Sequence, residues 1–168
     1  MITVNIYSSS IDTSLGRVTL FADARGLTGI VLPGTDRREL SSWYPDAGRN
    51  QILNEAARQI MEYLDGSRTV FSLPLSMTGT SFRLRVWEEI GKIPYGRTAS
   101  YRDIALRLGH RNKARAVGGA ANANPLPLII PCHRVIGADG NLTGFAGGLE
   151  MKKKLLRLEG ATVMRPCP

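Results

Sequence analysis

Cysteine is scarce in this chain. Only Cys132 and Cys167 occur in 168 residues, too few for a disulfide framework. Histidine is equally rare, with His110 and His133 alone, and the four residues together show no metal-ligand spacing. A zinc or other metal site is therefore not expected. No apolar run approaches the roughly 20 residues needed to span a membrane. The opening residues, Met1-Ile2-Thr3-Val4-Asn5, lack the positive n-region of a secretory signal. These absences exclude disulfide scaffolds and membrane spans, and they favour the cytoplasm.

Acidic residues are also short in one half. Residues 1–77 hold 7 Lys/Arg against 8 Asp/Glu, a net of −1. Residues 78–168 hold 15 against 6, a net of +9. All the excess positive charge of a +8 chain thus lies in the second half, which suggests a polyanion-binding domain beside a neutral one. The hydrophobic fraction, 43%, is ordinary for a globular fold.

The first half reads as a β-meander and a helix. Ile2–Tyr7, Arg17–Phe21 and Leu27–Leu32 are β-rich runs, with turn chemistry at Leu15-Gly16 and Asp23-Ala24-Arg25-Gly26. Residues 50–64 read as an amphipathic helix. Its apolar face is Ile52, Leu53, Ala56, Ile60 and Leu64, with Asn50 as cap and Gly66 beyond the end. Val70–Leu75 is a candidate last strand.

From Met77-Thr78-Gly79-Thr80 the pattern turns helical. Phe82, Val86, Ile90 and Ile93 share a helical spacing that Pro94-Tyr95-Gly96 stops. Ser100 and Asp103 form a capping-box pair ahead of Ile104, Ala105 and Leu108, and Gly109 ends that helix. A short turn leads to a further helix over Lys113–Asn122. Two short helices so joined suggest helix-turn-helix. Arg111, Lys113 and Arg115 cluster at the second helix's start, where the dipole also favours a phosphate. Adjacent glycines, Gly118 and Gly119, cost that helix about 1 kcal/mol each relative to alanine. Something must therefore approach its backbone closely, either another helix or a nucleic-acid groove. The last helix covers Leu149–Glu159 with Met151, Leu155 and Leu158 inward and Lys152, Lys153 and Lys154 toward solvent. Glu159 at its C-terminus opposes the macrodipole by about 0.3–1 kcal/mol, so a specific partner such as histidine is expected.

The densest chemistry is Pro131-Cys132-His133-Arg134-Val135, set in the apolar run Leu126–Ile136. A thiol, an imidazole and a guanidinium are expensive to bury unpartnered. A thiol is a useful nucleophile only as thiolate, which a neighbouring base or cation promotes. An activated cysteine and a merely packed one both fit the pentapeptide alone.

Together these stretches resemble the O6-alkylguanine-DNA alkyltransferase family. The resemblance rests on Ile93-Pro94-Tyr95-Gly96, Ser100-Tyr101, Ala114-Arg115-Ala116-Val117-Gly118, Asn124-Pro125, Ile130–Val135, Gly147-Gly148-Leu149 and Leu158-Glu159-Gly160, in matching order. It is strong over 80–160 and loose before that.

The resemblance implies an α/β fold of α+β type. A small N-terminal antiparallel-sheet-plus-helix domain (1–77) would precede a mainly helical domain (78–168) with a winged-helix-like helix-turn-helix. It implies that Cys132 irreversibly accepts the alkyl group of O6-alkylguanine, with O4-alkylthymine a further substrate. His133 would withdraw the thiol proton through a water, Glu159 would orient His133, and Asn124 would brace the turn before the active segment. Tyr101 would help extrude the nucleotide, and Arg115 would fill the vacated stack. Lys113, Arg115, Ala116, Gly118 and Gly119 would meet duplex DNA in the minor groove. Val135, Phe145, Ala146 and Gly147 would line the base pocket, with Lys152 near its rim. The partner is double-stranded DNA carrying O6-alkylguanine, and a cofactor-free monomer with one turnover is expected. Phe145-Ala146 departs from the Tyr-Ser of many members, so hydrogen bonds to O6 would come from backbone N–H groups. A DNA-binding module without chemistry and a cysteine hydrolase are the competing readings.

Overall fold

The structure is a computed structural model that describes residues 5–35 and 50–161. The chain divides into two compact units, 1–78 and 79–168.

In the first unit, β1 (Tyr7–Thr13), β2 (Gly16–Ala22) and β3 (Leu27–Val31) form an antiparallel sheet in that order. Thr13 pairs with Gly16, and the Thr13 hydroxyl donates to the Gly16 carbonyl at 2.7 Å across a two-residue hairpin. Gly16 has φ +109°, a conformation that L side chains rarely adopt. The turn into β3 is organised by buried Asp23. Its Oδ1 accepts from the N–H groups of Arg25 (2.7 Å) and Gly26 (2.9 Å), and its Oδ2 accepts from the Ser76 hydroxyl (2.7 Å). α1 (Gln51–Leu64) is capped by Asn50, whose Oδ1 accepts from Leu53 N at 3.1 Å. Val18, Leu20, Leu27, Leu53, Ala56, Ile60 and Tyr63 are fully buried and make up the core.

Three expectations change here. The first strand begins at Tyr7, where it was expected to end; Met1–Val4 lie outside the described residues. The inner face of α1 is Leu53, Ala56, Gln59, Ile60 and Tyr63, while Ile52 and Leu64 are half-exposed. Val70–Leu75 forms no strand, only a parallel bridge between Leu27 and Leu75. The reason is local. Pro74 has no N–H to donate, and the Gln59 side chain occupies both backbone groups of Ser72, at 2.8 and 2.9 Å.

In the second unit, α2 (Ser81–Gly91), α3 (Tyr101–Arg107) and α4 (Ala114–Asn122) pack together, α4 resting on both others. Thr80 caps α2, and Ser100 with Asp103 closes the expected capping box on α3. Gly109 turns the chain with φ +80° into α4, completing a helix-turn-helix. α2 stops at Gly91, ahead of the Pro94 expected to end it. Its inner face includes Trp87, which the spacing argument passed over. The indole N–H donates to the Ala120 carbonyl at 2.8 Å, satisfying a group in the last turn of α4. β4 (Ala99–Ser100) pairs in parallel with β5 (Val135–Ile136), a contact with no sequence signal. α5 (Leu149–Leu158) follows. Leu155 is buried as expected, but Lys152 and Leu156 complete the buried face in place of the half-buried Met151 and Leu158. Among the described residues no helix is long and apolar enough to cross a membrane.

Candidate active site and nucleic-acid interface

Cys132, His133 and Arg134 form a single 3-10 turn directly before β5. The loop leading to it is costly. Leu128 has φ +75°, a position that costs a bulky residue about 1–3 kcal/mol. Asn124 holds that loop in place. Its Oδ1 accepts from Leu126 N at 2.9 Å, and its Nδ2 donates to the Ile130 carbonyl at 2.8 Å. Cys132 N then donates to Ile130 O at 2.7 Å. One buried amide thus fixes both ends of the segment between α4 and the thiol.

Glu159, the residue capping the end of α5, is 6% exposed and meets the turn from the other side. His133 is fully buried, with Nε2 2.7 Å from Glu159 Oε1. Arg134 grips the same carboxylate. Its Nε lies 2.9 Å from Oε2, its Nη2 lies 3.0 Å from Oε1, and its Nη1 donates to the Ile93 carbonyl at 2.6 Å. Gly96 N donates to Oε2 at 3.1 Å. The dipole penalty on a carboxylate at this helix end is small beside such charge-assisted bonds. Arg134 was given no role by the sequence beyond being costly to bury without a partner, and the structure supplies Glu159 as that partner.

The electrostatics follow from burial. Cys132 is 8% exposed. Burial pushes its thiol pKa up, while the Asn124 side chain, the Lys152 charge and the N–H groups of Cys132 and His133 pull the other way. Burial lowers the His133 pKa against the pull of Glu159, and the charges of Arg134 and Lys152 lower it further. At neutral pH the imidazole is therefore a neutral base. Burial raises the Tyr101 hydroxyl, as does the nearby Cys132; the bond to Thr143 opposes both.

Lys152 was expected on a solvated face or a pocket rim, yet it is 0% exposed. Its Nζ donates to the carbonyls of Val135 (2.6 Å) and Thr143 (2.8 Å) and lies 5.9 Å from the Tyr101 ring centroid. The Tyr101 hydroxyl donates to the same Thr143 carbonyl at 3.1 Å. Two side chains from different helices thereby fasten the 137–148 loop at one atom. Phe145, in that loop, meets the His133 ring edge-on, with centroids 6.4 Å apart. A Cβ at Gly147 would run into Met151 Sδ, so a side chain there would require the flexible Met151 side chain to move aside.

Beside this buried cluster lies a cleft of about 520 Å³, lined by Tyr101, Arg102, Arg115, Gly118, Thr143 and Gly144 among others. Cys132, Val135, Phe145, Ala146 and Gly147 do not line it. Val135 is buried and Ala146 exposed. Arg102 is a cleft residue for which no role was expected. Lys113, Arg115 and Ala116 are exposed on the first turns of α4 and edge a second hollow of about 450 Å³ with Phe82. A Cβ at Gly118 would touch the Tyr101 ring at 3.8 Å, and one at Gly119 would meet nothing within 4 Å. Gly119 therefore makes room for no element of this chain's described residues. Among those residues no group of three His, Cys, Asp or Glu is placed to hold a metal.

The arrangement is a buried thiol, a neutral imidazole oriented by a carboxylate, and a basic helix flanking a cleft. Comparison with known proteins finds matches in both units. A family model described as 6-O-methylguanine DNA methyltransferase, DNA binding domain, matches residues 81–161. The corresponding ribonuclease-like domain matches residues 6–77. A methylated-DNA–protein-cysteine methyltransferase of Methanosarcina barkeri is 42% identical over 156 residues, covering 92% of this chain and 97% of that protein. One from Mycobacterium tuberculosis is 42% identical over 155 residues, covering 92% of each. The crystal structure of Mycobacterium tuberculosis OGT in complex with DNA superposes with a TM-score of 0.84 at 41% identity over 92% of both chains. Matched in both units and over nearly its full length, the chain belongs to the 6-O-methylguanine DNA methyltransferase family.

Proposed function

We propose that this protein repairs DNA by direct reversal, transferring the alkyl group of O6-alkylguanine irreversibly to Cys132. The observation that carries the reading is the buried chain Glu159–His133 beside that thiol, with Nε2 and Oε1 2.7 Å apart. Residues 78–168 are the DNA-binding and alkyl-acceptor domain, and the described residues of 1–77 offer no evident chemistry of their own.

The chemistry follows from what each residue can do. O6 of a paired guanine faces the major groove, and its alkyl carbon cannot meet a buried thiol from within the duplex, so the nucleotide must leave the stack, at a cost of a few kcal/mol that a weakened pair reduces. α4 enters the minor groove, where Gly118 and Gly119 let the backbone approach, and Lys113, Arg115 and Ala116 lie on its exposed first turns. Arg115 fills the vacated stack. Tyr101, at the cleft, helps turn the base inward. His133, held by Glu159, takes the thiol proton through a water, because a free thiol of pKa about 8.5 is only a few per cent ionised at neutral pH. The S–C bond forms as the C–O6 bond breaks. The electron pair stays on guanine, which recovers a proton, and nearby donors stabilise the developing charge. O4-alkylthymine presents the same alkyl-oxygen bond and is a second substrate. The product is a thioether that no group here can cleave, so each molecule acts once. A monomer acting in the cytoplasm suffices for these steps.

Incubation with duplex DNA carrying O6-methylguanine tests this directly. Intact mass should rise by one methyl group per molecule, peptide mapping should place it on Cys132, and Cys132→Ser should bind DNA without gaining mass. Methylation of the serine variant, or repeated turnover, would overturn the assignment.

A further inference from the structure

Ile93-Pro94-Tyr95-Gly96 is a stretch that the mechanism above leaves without a purpose, and Arg134 is a buried cation that it does not use. The structure joins the two. Arg134 Nη1 donates to the Ile93 carbonyl at 2.6 Å, and the guanidinium carbon lies 5.8 Å from the centroid of the Tyr95 ring. The Tyr95 hydroxyl donates to the Leu158 carbonyl at 3.2 Å, and Gly96 N donates to Glu159 Oε2 at 3.1 Å. The turn after α2 thus holds the guanidinium and the end of α5 together. Between them, Arg134 commits Nε and Nη2 to Glu159 in three hydrogen bonds of 2.9–3.2 Å. Oε1 is shared, since it also meets His133 Nε2 at 2.7 Å. An ionised carboxylate only accepts, so the imidazole hydrogen sits on Nε2 and the basic lone pair on Nδ1. This arrangement carries a hazard. A nearby anion favours the charged imidazole, and a dry carboxylate lacking other counter-charge would keep it protonated at neutral pH. An imidazolium has no lone pair left for a thiol proton. The charged and titratable groups around His133 are Glu159 and Lys152 from α5 and its end, with Cys132 and Arg134 from its own turn. Lys152 donates to the carbonyls of Val135 and Thr143, whereas Arg134 is bonded to the carboxylate itself.

We propose that Arg134, held by the 93–96 turn, sets the basicity of His133: it supplies the counter-charge of Glu159, so that the carboxylate orients the imidazole without protonating it. This deepens the acceptor reading of Cys132 and rests on it for its purpose. Arg134 is a positioning residue that acts through Glu159. In the resting protein His133 is neutral. When the Cys132 proton reaches Nδ1 through a water, it stays on the imidazole, because a carboxylate already bonded to a guanidinium is a poor base. Burial lowers the His133 pKa most, Glu159 opposes it, and the Arg134 charge lowers it further, in keeping with that division of labour.

The test is the titration of the His133 ring, followed by NMR against pH in the full chain. Arg134→Gln keeps amide donors and removes the charge. The His133 pKa should rise by about one unit or more, the effect expected of exposing the imidazole to an uncompensated anion. Arg134→Lys keeps the charge and loses the fork, and should move it by less than about half a unit. In the glutamine variant the acid limb of the pH–rate profile with free O6-benzylguanine should move up together with the ring. A loss of rate at every pH with an unmoved ring, the mark of a purely structural residue, overturns the proposal. Should the glutamine variant not fold, Arg134→Met, apolar against the Tyr95 ring, carries the same expectation. The parent supplies a further check: at pH 7 its ring nitrogens should read as protonated Nε2 and unprotonated Nδ1, and an imidazolium there overturns the proposal equally. The ring titration uses neither DNA nor an alkyl donor. A protein whose ring shifts this way yet accepts no methyl group refutes the repair function alone, and normal methyl uptake with an unmoved ring refutes the role of Arg134 alone.

Discussion

Replacing Glu159 by glutamine isolates what the buried carboxylate does. In the native site Oε1 and Oε2 receive Arg134 at 2.9–3.2 Å, His133 at 2.7 Å and Gly96 N at 3.1 Å. An amide keeps one acceptor and turns the other into a donor, which must then face the Arg134 or Gly96 N–H. The guanidinium also loses its counter-charge while staying buried. Removing one partner of such a pair costs about 3–5 kcal/mol. That is a large share of the roughly 5–15 kcal/mol that holds a typical domain folded. At about 2–4 °C per kcal/mol for a chain of this length, the melting temperature should fall by about 6–20 °C. Far-UV circular dichroism with calorimetry reads this. A companion variant, Arg134→Met/Glu159→Leu, removes both charges and should regain much of the loss. It should still react slowly with free O6-benzylguanine, because His133 has lost its orienting acceptor. A Glu159→Gln protein melting within about 2 °C of the parent would refute the reasoning.

Four further outcomes are expected. Gly119→Ala should stabilise the fold by up to about 1 kcal/mol, since a Cβ there meets nothing and alanine is the better helix former, yet should weaken duplex binding; unchanged affinity in a binding titration argues against close approach of DNA. Arg115→Ala should slow repair of duplex far more than reaction with free O6-benzylguanine, and equal losses in single-turnover kinetics would remove its proposed role. Affinity for duplex should drop steeply with salt, as charge neutralisation by the basic helix requires, so a flat titration contradicts it. Burial alone would raise the Asp23 pKa, but Ser76, Arg25 and Gly26 bind the carboxylate and hold it below the ordinary value. Its contribution is therefore present above about pH 4 and disappears as pH falls through the folded-state pKa. Asp23→Asn should lower the urea midpoint at pH 7 and flatten its decline in acid.

Local signals in the sequence were strong where one residue type does one job. Asn50 and Ser100 each cap the helix that follows, and Gly109 turns the chain after α3, because caps and left-handed turns depend on near neighbours only. Long-range satisfaction was invisible. Nothing about Gln59 announces that its amide takes over the backbone of Ser72 and prevents a strand there. Lys152 looks like any lysine in a basic run until two carbonyls from elsewhere enclose its ammonium. Trp87 interrupts a clean apolar spacing, and only the packing of α2 on α4 shows what its N–H is for. For the site, Cys132, His133 and Glu159 were legible from their unfavourable surroundings. The direction of Arg134 was not, since adjacency in sequence says little about which side chain faces which.

The Glu159 junction also sets an order of assembly. Its carboxylate reaches Gly96 across 63 residues and His133 across 26, and the same helix end accepts the Tyr95 hydroxyl 63 residues away. Contacts so distant along the chain close late in folding. A chain in which α5 has not docked holds His133 without the carboxylate that fixes its ring. Under the proposed acceptor role of Cys132, such a chain should react more slowly than the folded protein.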